Sequence, residues 1–272
     1  GVAARWLFHA HEPWIDLSVR LTGWDESART VQVCFPILLA EPRYRYDATG
    51  AVLTAGAAAE GGDDLPGANP ELYALQSFAL ASGAEASLLL LSPDAFLVQF
   101  GAAANRAPCY AGVTRAAQIT SLAMTNLTRQ DQQVNQGGRT AWSFRYRAVV
   151  GEARPDPLWP FREAQRFVSP YLWVPGGGSV DAGVARLEVD FAGGPLLCVC
   201  PGTEPGTTVT RLQNVLDAAA SGSFAVPPPL SRATLTDALE RPLEELPVRK
   251  GRVRFTVPPR GLLTIVLSGQ GA

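Results

Sequence analysis

Both histidines of the chain lie in one short segment, FHAHEPW, at residues 8–14. Alternation along a strand would place His9 and His11 on one face, where their two imidazoles could supply two of the ligands of a zinc site. Glu12 or Asp16 could add a carboxylate ligand, but nothing further in the segment fixes the three ligands and the open position that a catalytic zinc requires. We therefore interpret the segment as an extended lead-in strand, and we predict no metal site in this chain.

Paired carboxyl groups are the second arrangement that could do chemistry. A retaining glycosidase needs two of them about 5 Å apart, one protonated and one ionised. Asp63 and Asp64 in GGDDLPG, and Glu244 and Glu245 in RPLEELP, are adjacent in sequence, so their side chains diverge. We predict that these acids are surface charges and that the chain carries no catalytic residue, although pairs distant in sequence stay open.

The four cysteines are Cys34, Cys109, Cys198 and Cys200. In the segment LLCVC the last two fall on one face of a strand, two residues apart. A disulfide between such close neighbours would be strained, and a zinc site would need two more ligands. Buried free thiols are therefore the interpretation that we adopt for this pair.

Composition limits the class of structure and the class of partner. The 26 glycines and 22 prolines among 272 residues break the chain often and leave little room for long helices. A net charge of −2 with no block of like charge predicts no nucleic-acid or membrane partner. No apolar run approaches the ~20 residues that span a bilayer. The absence of a secretory leader leads us to expect a cytoplasmic piece of a longer polypeptide.

Short β-segments separated by turn residues dominate the chain. Residues 140–150, 186–191 and 252–257 alternate apolar and polar side chains, which is typical of strands with one wet face. Residues 88–100 and 262–267 are continuous apolar runs, which suit strands covered on both faces. The alternation predicts antiparallel sheets, and each apolar face must be buried against another layer.

Helix candidates are few and short. They are residues 69–81, which fit a strand as well, residues 160–168, and residues 231–246, which Pro242 interrupts. We therefore predict an all-β chain, a layered antiparallel β-sandwich with few short helices.

Six segments occur in an informative order and spacing. They are VQVCFPILLAEPRYRYDATGAV (31–52), DDLPGANPELYALQSFALASG (63–83), LLSPDAFLVQFG (90–101), ITSLAMTNLTRQDQQVNQGGRTAWSFRYRAV (119–149), CVCPGTEPGTTVTRLQN (198–214) and VRFTVPPRGLLTIVLSG (253–269). Together they resemble the region that follows the catalytic part of family 38 glycoside hydrolases, the α-mannosidases. The resemblance covers roughly residues 30 to 269.

The resemblance implies a fold and a partner. The fold would be a supersandwich of the galactose mutarotase-like kind, with residues 1–30 as a lead-in strand and turn and residues 30–272 as one C-terminal β-sandwich domain or two packed sub-sandwiches. In the family, the zinc and the carboxylate nucleophile belong to an N-terminal α/β barrel. The resemblance therefore implies a catalytic domain on the same polypeptide as the partner, zinc in that domain, and no cofactor in this chain.

The resemblance also suggests residues that could contact a carbohydrate. The family's Asn-Asn-aromatic-Trp-x-Thr-Asn core corresponds here to TNLTRQD (125–131), in which Asn126 is kept and Asp131 replaces the final Asn. With Asp64 and Arg211, these two residues are our predicted substrate-binding set. Each has a structural alternative: Asn126 could satisfy the backbone of a turn, and Arg211 could pair with an acid at a sheet edge. The departures predict a parent with another substrate, or one that has lost activity.

Three functions stay open on these grounds. The first is a non-catalytic C-terminal domain of an α-mannosidase-like glycoside hydrolase that packs against the missing barrel and lends a loop to its sugar site. The alternative is an independent carbohydrate-binding or structural assembly module. The third is a stand-alone enzyme acting on sugar rings, with His9 or His11 as the base.

Overall fold

The computed structural model describes residues 1–24, 30–69, 72–101, 117–125, 138–153, 155–168 and 188–269. The chain forms two compact units, Gly1–Pro170 and Tyr171–Ala272. Within the described ranges, no helix has the length and apolar character needed to cross a bilayer. The boundary at residue 30 stays a prediction.

The first unit is built from two antiparallel sheets and one short helix. Its strands are β1 (Val2–Phe8), β2 (Trp14–Thr22), β3 (Thr30–Pro36), β4 (Arg43–Ala48), β5 (Ala51–Thr54), β6 (Tyr73–Ala74), β7 (Phe78–Ser82), β8 (Ala86–Leu91), β9 (Leu97–Phe100), β10 (Gln118–Thr125) and β11 (Ala141–Glu152). A seven-stranded sheet has the order β1-β2-β11-β8-β7-β4-β5, and a four-stranded sheet has the order β3-β10-β9-β6. A 3₁₀ turn spans Ala58–Glu60, and helix α1 spans Trp159–Val168.

The two sheets of the first unit face each other across an aromatic core. Tyr146 of β11 is fully buried, and its ring centroid lies 5.3 Å from that of Phe35 on β3. Tyr44 of β4 stacks on Phe100 of β9 at 4.8 Å.

The predicted alternation of residues 140–150 is confirmed at Phe144, Arg145 and Tyr146, because Arg145 between the buried aromatics points away from this core. It is wrong at the end of the range, where Val150 is exposed and Val149 is buried on the other face.

Helix α1 covers part of the opposite face of the seven-stranded sheet. Phe161 meets Phe78 of β7 edge to face at 5.1 Å, and Ala164 is buried beside them. A Cβ added at Gly151 of β11 would lie 2.6 Å from the Trp159 ring, so the helix approaches this strand closely because the residue is glycine. The helix predicted for residues 160–168 is confirmed. Of the two interpretations of residues 69–81, the strand is correct.

The second unit is also a pair of antiparallel sheets. Its strands are β12 (Val189–Phe191), β13 (Leu196–Pro201), β14 (Thr208–Gln213), β15 (Ala220–Ala225), β16 (Leu230–Thr236), β17 (Pro242–Leu246), β18 (Val248–Arg249), β19 (Arg252–Val257) and β20 (Leu262–Gly269). The sheet orders are β12-β15-β19-β18 and β13-β14-β20-β16-β17. Phe224, Val253 and Ile265 are fully buried in the core of this unit.

The helix candidate at residues 231–246 is wrong, because this segment forms the hairpin of β16 and β17. Ala233 and Thr236 are buried within β16, and Pro242 begins the second strand rather than interrupting a helix. The prediction of an all-β, layered antiparallel sandwich with few short helices is confirmed by both units.

Candidate functional site

A cluster of polar side chains joins the turn after β1 to β2 and β11. His9 Nε2 lies 3.0 Å from Asp16 Oδ2. Arg147 binds the same carboxylate with both arms of its guanidinium, Nε donating to Oδ1 at 2.6 Å and Nη2 donating to Oδ2 at 2.9 Å. Because Asp16 and Arg147 are direct partners in the β2–β11 register, this bond crosses adjacent strands on one face of the sheet.

The cluster has aromatic walls. The Arg147 guanidinium lies 4.7 Å from the ring centroid of Trp14 and 4.6 Å from that of Phe167 near the end of α1. The ring of His9 also packs against Trp14, with centroids 5.7 Å apart. The cation is thus held by a carboxylate at its tip and by ring faces along its plane, an arrangement that suits arginine better than lysine.

The ionisation of Asp16 follows from its partners. Burial alone would raise the pKa of this carboxyl, but the hydrogen bonds from Arg147 and His9, together with their charges, outweigh burial and hold the pKa below its ordinary value. A carboxylate already neutralised in this way is a poor base. The cluster is therefore better suited to holding β2 and β11 together than to proton transfer.

A shallow pocket of about 280 Å³ opens beside this cluster. The side chains that give it chemical character are Arg5, Asp16, Ser18, Arg145 and Phe167. Arg145 is itself held by Asp94, which accepts Nε and Nη2 at 2.9 Å each. The pocket thus combines one aromatic ring with several oriented hydrogen-bonding groups, as small-ligand sites do.

The two histidines do not keep the alternating pattern on which a zinc site would depend. Strand β1 ends at Phe8, so His9 and His11 do not continue an alternating strand, and His11 and Glu12 are exposed. In the part of the chain that the structure describes, no group of three or more His, Cys, Asp or Glu side chains is placed to hold a metal. The described residues therefore do not fit a catalytic zinc, and no step is assigned to one here.

Asp64 and its neighbour Asp63 close the loop after β5. Asp64 Oδ2 accepts the Tyr73 hydroxyl at 2.7 Å and the backbone N–H of Gly56 at 3.1 Å, while Asp63 Oδ2 accepts the N–H of Thr54 at 2.7 Å. Burial, the Asp64 hydrogen bond and its charge raise the pKa of Tyr73. Both carboxylates support the loop, and contact with a sugar by Asp64 stays a prediction.

Arg211 of β14 holds a turn of the second unit. Its Nη2 donates to the carbonyl of Ala238 at 3.1 Å and lies 4.0 Å from Glu240 Oε1. Glu240 Oε2 in turn accepts the N–H of Thr203 at 2.7 Å. The acid at a sheet edge, the structural alternative for Arg211, is thus present, and its role in substrate binding stays a prediction.

The other predicted substrate-binding residues, Asn126 and Asp131, lie outside the described residues. Whether the predicted set of four forms one site therefore stays a prediction. Arg147, Arg145 and Trp14 were not among the predicted site residues. For the two arginines a signal exists in the alternation of SFRYRAV, which directs both to the solvent-facing side of the strand, but nothing in that segment identifies the partners that they bind.

The fold resembles that of solved glycosidases. The chain matches an alpha-mannosidase from Enterococcus faecalis V583 with a TM-score of 0.69 and 12% identity, over 97% of this chain and 28% of that one. It also matches a protein in the glycosyl hydrolase family 38 from Enterococcus faecalis with a TM-score of 0.64 and 11% identity, over 97% of this chain and 29% of that one. This chain thus spans less than a third of either protein, and at this identity the likeness shows the fold.

No protein-family model matches the chain, and no curated protein matches it significantly in sequence. The resemblance found in the sequence is nevertheless supported at the level of the fold, because both neighbours are glycosidase structures and both are matched over a portion of their length.

Proposed function

We propose that this chain is a non-catalytic C-terminal β-sandwich domain of an α-mannosidase-like glycoside hydrolase. It packs against a catalytic barrel of the same polypeptide, and the zinc and the carboxylate nucleophile belong to that barrel. The observation that carries the proposal is the structural match, which covers 97% of this chain and only 28–29% of each neighbour.

The carboxyl groups of the chain support a non-catalytic role. Asp63, Asp64 and Asp16 already accept hydrogen bonds from the protein. Glu244 and Glu245 are exposed neighbours on β17, so their side chains point to opposite faces of the strand. A glycosidase would need one acid kept protonated beside an ionised one, and none of these five offers that pairing.

Strand β1 supports packing against a further domain. Val2, Trp6 and Phe8 share one face of this edge strand and are 69%, 51% and 70% exposed. Their register partners on β2 include Leu17 and Leu21, which are only 2–3% exposed. The apolar face of the sheet therefore continues past its covered part, as expected of a surface that another domain buries.

The proposal is tested by comparing the chain alone with the full open reading frame that encodes it. We expect no hydrolysis of aryl α-mannosides by the chain alone and hydrolysis by the longer polypeptide. Trp6→Ser with Phe8→Ser should lower the melting temperature of the longer polypeptide and not that of the isolated chain. The control Leu38→Ser, at an exposed apolar residue away from β1, should change neither. Turnover by the isolated chain that is lost on mutating one acid would contradict the proposal.

A second candidate is an independent carbohydrate-binding module, which the pocket beside Asp16 favours. An aromatic ring with arginine, carboxylate and hydroxyl groups around it suits a hydroxyl-rich ligand. Titration calorimetry against a glycan panel tests it. Phe167→Ala should abolish binding if this pocket is used. The absence of binding heat with every glycan of the panel would contradict this candidate function. Sugar contacts by Asp64, Asn126, Asp131 and Arg211 belong to the first proposal and require the longer polypeptide.

A further inference from the structure

Cys198 and Cys200 form a pair of thiols on an edge strand of the second unit. Both lie on β13, the first strand of its five-stranded sheet, and both are partly exposed free cysteines. Cys198 is the register partner of Arg211 and Cys200 that of Val209, so the two thiols share one face. They therefore lie next to each other along one face of the strand and are reachable from solvent.

A direct disulfide between these cysteines would lie near the limit of disulfide geometry. Residues two apart on a strand are separated by about 6.6 Å, close to the upper end of the roughly 4.4–6.8 Å that the Cα atoms of disulfides usually span, and beyond their commonest separation of about 5.5–6 Å. An ion bridging the two sulfurs relaxes this requirement, because it inserts two metal–sulfur bonds of about 2.3 Å each, the value for zinc. The geometry thus suits a bridged pair better than an oxidised one.

The donor set selects the class of ion. Thiolates are soft ligands and favour soft ions, monovalent copper among them. Across the ranges that the structure describes, no third His, Cys, Asp or Glu is placed to complete a site of higher coordination. A tetrahedral zinc is thus disfavoured, and an ion that accepts two ligands fits.

The charge beside the thiols fits the same ion. Two thiolates around a monovalent cation carry a net charge of −1, and Arg211 is the register partner of Cys198 on the neighbouring strand β14. Glu240 belongs to the same group of charges: its Oε2 accepts the N–H of Thr203 and its Oε1 lies 4.0 Å from Arg211. The positive charge of Arg211 therefore offsets part of the negative charge of Glu240 and of the complex that the two thiolates would form.

We infer that Cys198 and Cys200 bind one soft monovalent metal ion of the Cu(I) class as a two-thiolate complex, with Arg211 as the neighbouring positive charge. Two S–H bonds are lost, two metal–sulfur bonds form, two protons are released to solvent, and no electron is transferred. The inference concerns the second unit and does not depend on the proposed glycosidase role.

The test uses Cu(I) supplied without oxygen in competition with bicinchoninate. In a Cys34→Ser, Cys109→Ser background, where only the two site thiols remain, one Cu(I) per chain should be retained. A further Cys198→Ser or Cys200→Ser should abolish retention, and Arg211→Gln should weaken it by about tenfold, as loss of a supporting group near a metal does. Equal retention by the background and by either single-thiol variant would overturn the inference.

A second measurement uses the chain without substitutions. Cu(I) should protect Cys198 and Cys200 together from alkylation, as read by peptide mass spectrometry, and should leave the exposed Cys34 as reactive as before. Unchanged alkylation of the pair in the presence of Cu(I), or equal protection of Cys34, would overturn the site even if the variants failed to fold.

Discussion

Asp47 on β4 and Asp16 on β2 lie in two different environments of the first unit. Asp47 is only 5% exposed and accepts hydrogen bonds from the backbone N–H groups of Gln76, Ser77 and Phe78. Asp16 lies on the outer face of the same sheet, and its side chain is 22% exposed. One carboxylate thus holds a loop through neutral donors, and the other holds two strands through a cation.

The pKa of the two carboxyls moves in opposite directions. Burial raises the pKa of Asp47, and the hydrogen bonds from Ser77, Phe78 and Gln76 offset only part of that rise. At Asp16 burial also acts to raise the pKa, but the bonds and charges of Arg147 and His9 outweigh it. The comparison shows that neighbouring positive charges bring the pKa of a buried carboxyl below its ordinary value here, whereas several neutral hydrogen-bond donors do not.

The largest expected effect is the loss of the buried carboxylate. Asp47→Ala leaves the N–H groups of Ser77 and Phe78 and the Ser77 hydroxyl without their acceptor, whereas the Gln76 N–H keeps its bond to the Asp47 carbonyl. Each unsatisfied group costs about 1–3 kcal/mol, so we expect a loss of about 3 kcal/mol in the free energy of unfolding. Urea unfolding followed by tryptophan fluorescence measures it. Asp190→Ala, at an exposed aspartate of β12, is the control and should stay within about 0.5 kcal/mol. A loss below about 1 kcal/mol would show that water replaces the carboxylate.

Removal of the cation should cost less. Arg147→Ala takes away two charge-assisted hydrogen bonds and two ring contacts from a side chain that is 15% exposed, and we expect a loss of about 2 kcal/mol. Arg147→Lys keeps the charge but not the two-armed bond, so it should recover only part of this loss. Recovery to the wild-type value by lysine would show that charge alone matters at this position.

Opposite dependences on pH would sharpen the comparison further. Because the folded pKa of Asp16 is lowered, its contribution is present above the ordinary value of 3.8 and is lost as the pH falls through the folded pKa. Because the folded pKa of Asp47 is raised, its contribution is present below 3.8 and is lost as the pH rises through the folded pKa. The stability advantage of wild type over Asp16→Asn should therefore grow between about pH 3 and pH 6, and that over Asp47→Asn should shrink. Parallel trends in urea midpoints would contradict the assignment.

The fold could be predicted because its main signal is local. Alternation along β11 places Phe144 and Tyr146 inward and Arg145 and Arg147 outward, and the packed structure keeps this pattern. Where the local signals fitted a helix and a strand equally well, both stayed open. At residues 69–81 the strand prevails, since Asp47 binds the backbone at 76–78 and orients β7 against its neighbours.

The candidate site could be predicted only in part, because its contacts are distant in sequence. Asp16 and Arg147 are 131 residues apart, and no short motif joins them. Asp64 and Arg211 were recognised by resemblance, yet their bonds to Tyr73 and Ala238 depend on how loops return to a sheet. Residue type identifies groups that can bind, whereas pairing requires the register of strands that are far apart along the chain.

The smallest effect is expected at an exposed ion pair. Arg162 Nη2 lies 2.7 Å from Asp156 Oδ2, but the two side chains are 51% and 52% exposed. Arg162→Ala should change the free energy of unfolding by no more than about 0.5 kcal/mol, because water solvates the carboxylate that is left. Measured beside Arg147→Ala under the same conditions, it compares one exposed hydrogen bond with an enclosed two-armed one. If both substitutions cost the same, the aromatic walls and burial around Arg147 would add nothing, and the contrast between exposed and enclosed charges would fail at this sheet face.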